Sequence, residues 1–147
     1  MAAGLHSARS MAPTVLTVDP QADLLVTYYR LLSRRGYRVI TARTRAAGLL
    51  ALDREAPRLV ISDLRLPDGD GLDLVRAARS RVPPALAIVV SALTAEPTRQ
   101  AALAAGASAF LPKPFEAAAL LDRIPSHVPM PPAVLGGDVQ LLNWPGP

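Results

Sequence analysis

The sequence predicts an α/β domain in which helices cover both faces of a doubly wound, five-stranded parallel sheet. Three observations carry that prediction. Five short runs of apolar and β-branched residues recur along the 147 residues, and segments with helical spacing separate them. The runs are apolar almost throughout, which suits strands buried on both faces. Right-handed crossovers then lay a helix over each parallel pair.

The first strand is expected at Thr14 to Val18, and a helix follows it. Leu24, Tyr28, Leu31 and Leu32 mark that helix, with Asp19 as N-cap, Pro20 as first helical residue and Gly36 as its stop. Further strands are expected at Tyr37 to Thr41, Leu59 to Ser62, Leu86 to Val90 and Ser108 to Leu111. Helices are expected at Arg45 to Glu55, Leu72 to Arg81, Ala95 to Ala105 and Phe115 to Ile124. Asp68, Gly69, Asp70 and Gly71 follow Pro67 as a turn; a calcium loop would need more oxygen ligands at alternating positions.

Composition sets outer bounds. The chain is long enough for one compact domain, and without cysteine it has neither disulfides nor thiolate metal sites. A cytoplasmic, soluble protein is therefore expected, because no run of about 18 apolar residues spans a membrane and residues 1–13 lack the apolar core of a secretory signal. Between Arg30 and Arg58 eight arginines stand against Asp53 and Glu55, although the whole chain carries only +4. This is expected to be a solvated face, since aromatic residues for base stacking make up only 4% of the chain. Direct nucleic-acid binding is thus not expected.

Residues 1–13 read as a flexible leader, 14–124 as the domain, and 125–147, rich in Pro and Gly, as a tail or linker. Val139, Leu141, Leu142 and Trp144 form an apolar cluster in that tail, expected to fold back on the domain. No DNA-reading module is expected in so short a remainder.

In open α/β sheets, ligands bind beyond the carboxyl ends of the strands, and four polar residues fall there: Asp19, Asp63, Ser91 and Lys113. Each alone has a plainer job, as cap, turn residue, strand end or surface charge. Together, two carboxylates, a hydroxyl and an ammonium at one edge describe a site for an anion and a cation. Lys113 is also the sole lysine beside fifteen arginines, so a compact point charge is kept at that one position.

The segments TVLTVD, LVISDLRLPDGDGLDLV, IVVSA and AGASAFLPKPF, in this order and spacing, resemble the successive signatures of response-regulator receiver domains, such as the chemotaxis regulator, over about Thr14 to Ile124. The resemblance implies a flavodoxin-like strand order of 2-1-3-4-5. It implies that Asp63 accepts a phosphoryl group from a histidine kinase or phosphotransfer protein, that Ser91 follows that group, and that Lys113 is its counter-ion. Phe110 matches the aromatic switch, and Pro114 is implied to follow a cis bond that aims Lys113 inward. Mg²⁺ is implied as cofactor, with Asp19, Asp63 and the backbone carbonyl of Arg65 as its ligands. A receiver signals through a partner-binding face, and its only chemistry is to assist its own phosphorylation and dephosphorylation.

One departure stands out. Receiver domains usually carry two adjacent acids after the first strand, and here Asp19 is followed by Pro20. A direct carboxylate ligand is lost, so Mg²⁺ affinity is expected to fall. Arg65 is a candidate to put its guanidinium on the phosphoryl oxygens in partial replacement. The alternative reading is a pseudo-receiver, which binds a partner or ligand independently of phosphorylation. An enzyme acting on a free substrate is not expected, because no Gly-rich phosphate loop or Ser-His pair is visible. The brief last helix argues against dimerisation on that face.

Overall fold

The computed structural model describes residues 12–125. In chain order they form β1 (Thr14–Val18), α1 (Ala22–Ser33), β2 (Arg38–Ala42), α2 (Arg45–Glu55) and β3 (Leu59–Ser62). A short hairpin of β4 (Arg65–Leu66) and β5 (Gly69–Asp70) precedes α3 (Leu72–Arg79), β6 (Leu86–Ser91), α4 (Glu96–Ala104), β7 (Ala109–Pro112) and α5 (Ala117–Arg123). The main sheet runs β2-β1-β3-β6-β7 with every pairing parallel. Counting only its five strands, this is the expected order 2-1-3-4-5.

Strand alternation divides the core in two. Leu16 and Val18 of β1 join Val60 of β3 and Leu74, Val75 and Ala78 of α3 in one cluster. Val15 and Ile61 point the other way, with Leu25, Tyr28 and Leu32 of α1 and Leu120 of α5. β1 and β3 are buried at every position, which explains why they read as unbroken apolar runs.

Most boundaries differ from the expected ones by one or two residues, and two differences have a physical cause. The N-cap of α1 is Gln21, not Asp19, and Pro20 lies before the helix. The Asp19 carboxylate instead accepts a hydrogen bond from the Gln21 amide at 2.8 Å, a local turn that delays helix entry. Helix α5 starts after Phe115, whose ring stacks on Tyr28 with centroids 6.0 Å apart.

The turn expected at Asp68 to Gly71 is part of the β4–β5 hairpin. Asp68 accepts hydrogen bonds from the Arg45 and Ala46 amides at 2.6 and 2.9 Å, and so caps α2 from a distant loop. Among the described residues no helix is long and apolar enough to cross a membrane. The apolar cluster Val139, Leu141, Leu142 and Trp144 lies outside the described residues.

Candidate functional site

Because the five strands run parallel, their carboxyl ends share one rim. The ladders continue one step past the strands there: the Asp19 amide donates to the Ala42 carbonyl, that of Asp63 to Val18, and that of Lys113 to Ser91. Backbone pairing thus sets residues 19 and 63 on neighbouring strands and residue 113 two strands away, past β6, on the same rim, where the long Lys113 side chain reaches back to both carboxylates. Lys113 Nζ lies 2.7 Å from Asp19 Oδ2, 3.2 Å from Asp63 Oδ2 and 3.2 Å from Gln21 Oε1.

The group is well shielded, with side-chain exposures of 14% for Lys113, 1% for Asp19 and 11% for Asp63. Two buried carboxylates at one point would repel strongly, and the ammonium between them supplies the opposite charge. The other oxygen of Asp63, Oδ1, accepts from the Leu64 amide at 2.7 Å. Asp63 is thereby held from both sides, with its carboxylate turned to the rim.

The structure brings Asp19, Asp63 and Lys113 into direct contact. Ser91 is buried at the same rim, and its hydroxyl accepts from the Leu93 amide at 3.0 Å. Phe110 on β7 is half-buried against the cluster that includes Leu66, Val89 and Ala102. Arg65 is exposed. The Lys113–Pro114 bond is cis, as the resemblance implies.

Above this group opens a cleft of about 1040 Å³, whose lining includes Gln21, Arg43, Asp63, Arg65, Lys113 and Phe115. Three of these, Gln21, Arg43 and Phe115, were not anticipated from the sequence as site residues. Gln21 reaches Lys113 through its side-chain oxygen. Arg43 donates from Nη2 to the carbonyl of Pro20 at 3.0 Å. One signal was available for Arg43: it follows the last residue of β2 and so falls on the same rim. Behind the cleft, burial above all pushes the Tyr28 phenol far above its ordinary value, and the Asp19 and Asp63 charges add to that rise.

The donor set bears directly on the implied Mg²⁺. That ion asks for near-octahedral oxygen coordination and several ligands. Here residue 20 is proline, and both carboxylates are engaged by Lys113. Among the described residues no group of three or more His, Cys, Asp or Glu side chains is arranged to hold a metal. Asp19 and Asp63 do not fit a Mg²⁺ held as tightly as in a three-acid pocket.

Comparison with known proteins bears on the same residues. A family model described as the response regulator receiver domain matches residues 15–125. The photosynthetic apparatus regulatory protein RegA of Rhodobacter capsulatus is 36% identical over 104 residues, which is 71% of this chain and 56% of RegA. The KDP operon transcriptional regulatory protein KdpE of Escherichia coli (strain K12) is 40% identical over 112 residues, covering 75% of this chain and 48% of KdpE. The chain thus spans about half the length of these two relatives. Among solved structures, the non-phosphorylated HemR receiver domain from Leptospira biflexa superposes with a TM-score of 0.69 at 32% identity, covering 76% of this chain and 90% of that one. A family match over most of the chain, on a parallel sheet whose rim gathers Asp19, Asp63, Ser91 and Lys113, shows that this protein belongs to the response regulator receiver domains of two-component signalling.

Proposed function

We propose that this receiver takes a phosphoryl group on Asp63 from a histidine kinase or phosphotransfer protein and signals through a partner-binding face. One observation carries the reading: the Lys113 ammonium bridges Asp19 and Asp63 at the rim of the sheet, beneath an open cleft. In the transfer, an Asp63 carboxylate oxygen bonds to phosphorus as the bond from phosphorus to the donor's imidazole nitrogen breaks. The electron pair returns to that nitrogen, which takes up a proton. Charge gathers on the equatorial oxygens, where Lys113 is within reach to neutralise it.

Ser91 then donates its hydroxyl hydrogen to the new phosphate, giving up its present role toward the Leu93 amide. Phe110, half-buried beside that strand, turns into the space left behind, and surface shape changes with it. The downstream partner is a protein, and the setting is the cytoplasm.

The test is direct. The protein is incubated with acetyl phosphate and Mg²⁺, and its intact mass is recorded. A gain of one phosphoryl group, absent in Asp63→Asn, supports the reading; no gain from acetyl phosphate or from a phosphohistidine donor overturns it. The pseudo-receiver alternative draws on Pro20 and on the carboxylates' engagement by Lys113, and an unchanged mass favours it.

A further inference from the structure

The loss of an acid at residue 20 is matched by a gain elsewhere on the rim. Arg43, one residue past β2, sets its guanidinium 3.0 Å from the carbonyl of Pro20, the very residue that stands where a second acid is usual. Its other N–H donors bond to none of the described residues, and its side chain lines the cleft that holds Asp63 and Lys113. Arg65 lines the same cleft. A guanidinium offers five donors in a planar fork, and one anchored by a single bond keeps the rest for an oxyanion.

Charge balance points the same way. The cleft and its floor hold Asp19, Asp23 and Asp63 against Arg43, Arg65 and Lys113, three charges of each sign. An additional carboxylate at residue 20 would leave the pocket anionic and would oppose a doubly charged phosphoryl group. With proline there, the protein's own cations meet the incoming charge.

We propose that Arg43 is a phosphate-binding residue of this receiver, supplying positive charge to the cleft that a divalent cation otherwise would, so that the cleft holds tetrahedral oxyanions without metal. This rests on the cleft being the phosphorylation site, and it adds a residue that the receiver signatures do not include.

The experiment separates binding from transfer. The full chain is titrated with inorganic phosphate in the presence of EDTA, and backbone amide shifts of Leu64, Ser91 and Lys113 are followed by NMR. Saturable shifts are expected for the native protein. In Arg43→Gln, which removes the charge and the guanidinium fork, the dissociation constant is expected to rise about tenfold, the worth of one hydrogen bond to a charged group, whereas Arg43→Lys, which keeps the charge, is expected to bind within about threefold of the native protein. Phosphate binding unchanged in the glutamine variant, or lost equally in the lysine variant, overturns the proposal. So does binding that saturates only after Mg²⁺ is added, or no binding at all. Failure of the Asp63 reading looks different: phosphate still binds through Arg43, while acetyl phosphate leaves the mass unchanged.

Discussion

Lys113 Nζ sits 2.7 Å from Asp19 Oδ2, a partner 94 positions earlier in the chain and completely buried. Taking away the ammonium strands two carboxylates in a poorly hydrated pocket. Lys113→Met should cost about 3 kcal/mol in urea unfolding, the usual range for breaking a buried pair. Adding Asp19→Asn should recover part of that loss, because it removes the repulsion. Strictly additive losses in the double variant would speak against this coupling.

Gly71 should prove irreplaceable for reasons of space. A methyl group built on it would lie 1.9 Å from the Asp63 carbonyl oxygen, and its amide donates to the Leu64 carbonyl at 2.8 Å. Gly71→Ala must push the backbone of Asp63 aside, so a loss of about 1–3 kcal/mol is expected, with a displaced Asp63 amide resonance. Native-like stability and an unmoved resonance would contradict the close approach.

Much of this was legible in the sequence because strand ends and side-chain period are local properties. Asp63 and Lys113 could be assigned to one rim once the strands were assigned, since parallel strands share their carboxyl edge. The side chains that cross between loops could not be read in the same way. Gln21 meets Lys113 across 92 positions and Arg43 meets Pro20 across 23, and no periodicity encodes either contact. The β4–β5 hairpin has strands of two residues, too short for alternation to register. Asp68 read as a turn residue because aspartate favours turns, while its carboxylate was already committed to another helix. Pro20 reads as a helix start because Asp-Pro is a common helix entry, and the Asp19 carboxylate's bond from the Gln21 amide turns the chain there and moves the cap to Gln21.

High pH should weaken the fold through Tyr28. Burial raises its phenol, so the unfolded chain gives up that proton first. Its contribution is complete below about pH 10, the ordinary tyrosine value, and is lost as pH rises beyond it, at up to about 1.4 kcal/mol per pH unit. Tyr37 is raised by burial as well, with Arg35 opposing, and adds the same sign. Urea unfolding of the native protein should therefore decline more steeply above pH ~10 than that of Tyr28→Phe. Parallel curves would rule out the buried phenol as the cause.

Low pH should act through Asp68. The Ala46 and Arg45 amides hold its carboxyl below the ordinary carboxylate value, so its cap is fully present above about pH 4 and fades as pH falls through the depressed value. The native protein should melt higher than Asp68→Ala at neutral pH, and the gap should close in acid. A gap that persists unchanged at low pH would mean that the charge has no part in the cap.

Strand β7 links the site to both halves of the core. Phe110 leans on the cluster beneath α3 and α4, while its neighbour Leu111 joins the one beneath α1 and α5, and Lys113 follows two residues later. Lys113 therefore continues a strand whose side chains pack on both faces of the sheet, so a displaced lysine would pull on both. One ammonium at the rim is thereby tied mechanically to helical layers on opposite faces of the molecule.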